Sequence, residues 1–270
     1  MNLKQICNQP AFEFAKAQSQ PPWILTVILT LVLVFGQQEL KRLIEWSWMN
    51  TEAGRCVWLL ANFSIAVSVV FYIHFSFPKA LLLPAEFRPS WNKIIIIAAL
   101  CSLPWLILYI YRSVHVALEM TNLFQLVRTQ NDREQINQLL GQLHRLAWAN
   151  EGYGIDGFGI VLASAGIVMW PWVEEILCRG YLLNDLFRRL PVWTSLLAAT
   201  IFFVAIHIFR TPDILTLIQF FLMGIACGIS RLWTGSWIAA GLTHVLINIG
   251  ILLPKWEITI ITAHWVGKLS

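Results

Sequence analysis

Seven stretches of this chain, near residues 22–37, 56–78, 94–111, 157–189, 191–209, 214–230 and 232–254, are rich in Leu, Ile, Val, Phe and Trp, and all but the fourth contain no Asp, Glu, Lys or Arg. A helix needs about 20 apolar residues to cross a bilayer, with 17 to 25 workable. The expected fold is therefore an all-α polytopic membrane protein, a bundle of about seven or eight transmembrane helices. The count stays open by one because a last apolar segment, 258–268, is short for a full crossing. Composition agrees, since 57% hydrophobic and 13% charged residues lie outside the range of soluble domains. Fourteen Trp, many near the ends of these runs, fit aromatic belts at the two membrane interfaces.

The remaining composition excludes more than it selects. A net charge of +4 scattered over short loops gives no footprint for nucleic acid, although a basic surface suits anionic lipid. The five cysteines form no CxxC or metal-ligand spacing and read as small buried hydrophobes. The first 20 residues lack the layout of a cleaved signal peptide, so the first apolar helix is expected to insert the chain and to stay in it. Short polar tails point to a bacterial inner membrane rather than an organelle membrane. The basic residues do not orient the bundle: with Arg179 set aside, nine fall on each side.

Between the third and fourth runs lies the most polar stretch, 112–156. Within it Ile136, Leu139, Leu140, Leu143 and Leu146 recur at helical spacing against Asp132, Arg133, Glu134, Gln138, Gln142 and Arg145. This predicts one amphipathic interfacial helix, either a packed connector or a lipid-sensing element.

The fourth run is too long for a simple crossing and holds Glu174, Glu175 and Arg179 within "WPWVEEILCRG". An ionisable group at mid-bilayer costs on the order of 2.5 to 3.5 kcal/mol, so these three must face the bundle interior or a wet cavity. Glu175 and Arg179, four apart, share a helix face and can pair, whereas Glu174 points elsewhere. Glu174 lies 16 residues before Leu190 and His207 lies 16 after Pro191, across the turn between two antiparallel spans. Both then sit about 24 Å from that turn and can share one site. A carboxylate held out of water beside an imidazole is a candidate general base. His244 and Asn248 project together from the seventh span at an overlapping depth, and Gly224 with Gly228 marks close helix packing on the sixth.

"EEILCR", "FVAIH" and "HVLIN" fit EExxxR, FxxxH and HxxxN, in that order and on successive hydrophobic segments. In this the chain resembles the CPBP family of intramembrane proteases, the CAAX-processing and bacteriocin-processing group also called Abi proteins. The resemblance divides the chain into N-terminal transmembrane helices with the amphipathic connector (1–155), a catalytic core (156–255) and a short C-terminal segment (256–270). It implies that Glu174 and His207 activate a water that attacks a peptide carbonyl, and that His244 and Asn248 stabilise the oxyanion. Glu175 and Arg179 would hold the span or the substrate, and Phe203 would pack against the His207 imidazole. The implied partners are the bilayer and a membrane-associated protein or peptide cut near its C-terminus or anchor.

Metal-independent chemistry is the expectation, because Asn is a poor zinc ligand and no HExxH occurs. Zn is the alternative, with Glu174, His207 and His244 as ligands. Two other function classes stand beside the protease. One is a proton-coupled transporter, disfavoured because no inverted repeat is visible, and the other a non-catalytic immunity or binding protein on the same scaffold. A thiol mechanism through Cys178, one turn from Glu174, is a minor variant.

Overall fold

Every described element is helical, as backbone that must satisfy its own hydrogen bonds within apolar runs requires. The computed structural model describes residues 89–130, 133–148, 157–208 and 214–269, with scattered positions between 24 and 75. The runs 22–37 and 56–78 thus lie largely outside the described residues. In chain order the elements are α1 (Trp91–Gln130), α2 (Arg133–Trp148), α3 (Gly157–Glu175), a π-helical segment (Ile176–Leu182), α4 (Leu183–Arg189), α5 (Val192–Ile208), α6 (Ile214–Thr234) and α7 (Trp237–Leu269). Three stretches are long and apolar enough to cross a membrane, namely Trp91–Asn122, Ile214–Thr234 and Trp237–Ile261, and α5 is a shorter apolar helix.

Two boundaries differ from the sequence reading. The polar stretch begins as a continuation of α1, which runs through Arg112 to Gln130 before the amphipathic helix starts. The segment 258–268 is the distal part of α7, which continues through Pro254 rather than stopping there. Counting apolar residues ends a span at the first charges, Arg112 and Lys255, but a helix carries such residues past the apolar zone without breaking.

The amphipathic α2 is a packed connector. Ile136 and Leu140 close on Met120 and Val116 of α1 and Ile261 of α7, while Glu134 and Gln138 face outward. The side chains of Leu143 and Leu146 lie outside the described residues.

α7 is the centre of the bundle, packing along α1, α2, α3 and α6. Its start is set by the sharp reversal at Thr234–Gly235–Ser236. Gly235 takes a φ of 74°, a left-handed conformation that glycine adopts without steric penalty. Ser236 Oγ then accepts the Ile238 N–H at 3.3 Å and caps the new helix. α6 meets α5 through its two glycines: a Cβ on Gly228 would collide with Leu196, and one on Gly224 would lie 2.8 Å from Thr200 Cγ2. Leu196 and Thr200 are four apart, so a small-residue stripe on α6 receives one ridge of α5. Beneath the polar residues lies an apolar cluster built from α1 (Trp105, Tyr109), the π segment (Cys178), α5 (Phe203, Ile206), α6 (Met223, Cys227) and α7 (Ala240, Ile247).

Candidate active site

The run 157–189 is one helical path with a π turn inserted directly after Glu175. Wider π turns inside α-helices recur at functional sites because they shift the register of the side chains that follow. The shift here carries Arg179, which is fully buried. Its Nη1 donates to Glu175 Oε1 at 3.1 Å and its Nη2 to the Gly224 carbonyl at 2.9 Å. Its guanidinium carbon also lies 4.6 Å from the centroid of the Phe203 ring.

Glu175 does more than the sequence assigns to it. The same Oε1 accepts Nδ1–H of His244 at 2.9 Å, so one carboxylate oxygen bridges the guanidinium on the π segment and the imidazole on α7. Since Nδ1 of His244 faces a carboxylate, its proton resides there, and Nε2 turns toward Glu174 Oε2 at 3.9 Å. His207 is set the same way: Nδ1 donates to the Phe203 carbonyl at 2.7 Å and Nε2 faces Glu174 Oε1 at 3.8 Å. Two ring nitrogens from separate helices therefore converge on the two oxygens of Glu174. Both separations exceed a direct hydrogen bond and suit groups that share a water.

Aromatic rings hold the imidazoles in place. Phe203 lies 4.5 Å from the His207 ring and 5.7 Å from that of His244, and Phe220 of α6 covers His207 at 4.2 Å. Glu174, Glu175, Arg179, Phe203, His207 and His244 are all buried, which lowers the local dielectric and strengthens each charge interaction among them.

The structure thus brings together six of the seven residues singled out from sequence. Asn248, one turn beyond His244 on α7, donates its Nδ2 to the Ile167 carbonyl of α3 at 3.0 Å. Cys178 is fully buried in the apolar cluster. Among the described residues, Glu175, Cys227 and His244 place metal-type donor atoms within 4.8 Å of one another, but the guanidinium already on Glu175 sets a positive charge against any cation there.

Three contributions escape a sequence reading. Arg231 counts there as a loop charge, yet it is 5% exposed and reaches inward. Its Nη2 donates to Asn184 Oδ1 at 2.9 Å and its Nε to the Arg179 carbonyl at 3.4 Å, while Asn184 Nδ2 donates to the Gly180 carbonyl at 2.6 Å. These two side chains occupy carbonyls of the π turn, a role that no spacing advertises. The second is Phe220, one aromatic among sixteen Phe. The third is Gly224, whose glycine spacing signals close packing but not that a guanidinium is the group brought close. A Cβ there would stand 3.2 Å from Arg179 Nη2 as well as against Thr200. Gly224→Ala is accordingly expected to push Arg179 off its carbonyl and to lower turnover by about tenfold or more, because sub-ångström displacement of oriented groups is costly. Unchanged kcat in a folded Gly224→Ala protein would show that the close approach is dispensable.

Compared with protein families, residues 156–250 match the one described as type II CAAX prenyl endopeptidase Rce1-like. No curated protein and no solved structure matches the chain.

Proposed function

We infer that this chain, which over residues 156–250 carries a domain of the Rce1-like type II CAAX prenyl endopeptidase family, is a multi-pass intramembrane endopeptidase acting on a membrane-associated protein or peptide near its C-terminus. The observation that supports this reading best is the convergence of two oriented imidazole nitrogens on the carboxylate of Glu174 inside a buried core. A transporter or a passive binding protein has no need for two separately oriented imidazole rings aimed at one carboxylate. Hydrolysis does need a base, a shared proton position and a donor for developing negative charge.

Glu174, with His207 beside it, takes a proton from a water lying between them, and the resulting hydroxide adds to the scissile carbonyl. His244, held from behind by Glu175 at Nδ1, turns Nε2 to the oxyanion as its hydrogen-bond partner. As the C–N bond breaks, the proton stored on Glu174 passes to the departing amine. Glu175 and Arg179 contact no reacting atom; they lock His244 and the π turn in register. Glu174, His207 and His244 are also donors of the types zinc accepts, and zinc held there would supply Lewis-acid polarisation of the same water. The bilayer gives the substrate lateral access to the buried site.

The purified protein in detergent should release a C-terminal fragment from a farnesylated peptide ending in a CaaX sequence, detected by mass spectrometry, and should cut the unprenylated peptide less well. Failure to cut either peptide, or any other membrane-derived substrate, would move the transporter and immunity readings ahead.

A further inference from the structure

Pro171 lies inside α3, three residues before Glu174. In an α-helix the N–H of residue 171 would bond the carbonyl of residue 167, and proline has no N–H to give. The Ile167 carbonyl is thereby left open inside the bundle, where an unmet backbone group is costly. Asn248 Nδ2 donates to that carbonyl at 3.0 Å, from a helix 81 positions away in sequence.

We propose that Asn248 is a positioning residue whose amide closes the hydrogen-bond gap made by Pro171 and so fixes α7 against the helix that carries the base. The inference rests on the protease reading for its catalytic consequence, but the clamp itself does not. His244 and Asn248 are four apart and leave α7 on one face. The first is tied to Glu175 and the second to Ile167, so α7 grips α3 at two points, one on each side of Pro171. A helix freed from its own hydrogen bond at Pro171 would otherwise hinge there, carrying Glu174 relative to the His244 ring. The resemblance of "HVLIN" to its family motif gives Asn248 the oxyanion. Nδ2 carries two N–H groups, and the one bonded to the main chain of α3 fixes where the second can point.

The test is a cycle of four proteins: wild type, Asn248→Ala, Pro171→Ala and the double variant. An alanine at position 171 restores the helical N–H, so the Ile167 carbonyl no longer needs the side chain. Asn248→Ala should lower the melting temperature by about 3 to 6 °C when Pro171 is present and by close to nothing in the Pro171→Ala background. Equal losses in both backgrounds would overturn the clamp. Turnover of the farnesylated peptide should fall by up to about 100-fold in Asn248→Ala, chiefly in kcat, and return to within a few fold in the double variant. Stability restored without turnover would overturn the positioning role and return Asn248 to contact with the reacting atoms. If the wild type cleaves nothing, the protease reading falls, while the melting cycle still decides the clamp.

Discussion

Glu174→Gln is expected to remove turnover by roughly a thousandfold or more while leaving the protein folded, because the amide keeps the shape of the side chain and lacks only the basic oxygen. The structure separates these two effects. The imidazoles of His207 and His244 stand 3.8 and 3.9 Å from Glu174, beyond direct hydrogen bonds, whereas both rings are oriented through Nδ1 by other groups. The Nδ1 bonds that orient both rings are untouched by the replacement. Melting temperature in detergent should stay within a few degrees of wild type, and single-turnover cleavage of the peptide should vanish. A Glu174→Gln protein that cleaves at the wild-type rate would take the base away from Glu174 and end the mechanism.

Glu175→Gln, one residue on, has the opposite signature. The Oε1 of Glu175 meets both Arg179 and His244 in a fully buried position, so neutralising it strands a guanidinium in a dry core. Breaking one side of a buried ion pair costs about 3–5 kcal/mol, because the desolvated partner loses its counter-charge. For a protein of this size that is a fall in melting temperature of about 10 °C. Removing both charges, as in Glu175→Gln with Arg179→Met, should recover part of the stability, since no buried charge is then left alone. Activity should stay low in the double variant, because His244 has still lost its carboxylate. Wild-type stability of the single variant would contradict the pairing, and wild-type activity of the double variant would contradict the orientation of His244 by Glu175.

These two neighbours show how far the sequence carries and where it stops. The i to i+4 spacing of Glu175 and Arg179, and the equal distances of Glu174 and His207 from the Leu190 turn, follow from helix geometry alone. The structure forms both pairs, although a π turn that spacing does not reveal lies between Glu175 and the Leu190 turn. The ring of His244 is harder to place, because the start of its helix depends on a turn, Thr234–Gly235–Ser236, that spacing alone does not fix. Its bond to Glu175 is therefore not legible. Pro171 announces an open carbonyl at Ile167 from the sequence itself, yet the residue that fills it comes from another helix. Arg231 escapes for a different reason: a charge near the end of an apolar run looks like a loop residue unless a buried acceptor is known to be waiting. Local periodicity fixes which residues share a face, and the long-range partners come from packing that no local pattern encodes.

The most direct test of the central claim compares the C-termini of membrane proteins in host cells carrying wild type or Glu174→Gln at equal expression. A new C-terminus present only with wild type is the expected result and identifies the substrate at the same time. Identical termini in both, with the protein folded and expressed under conditions where it is needed, would contradict a Glu174-dependent endopeptidase.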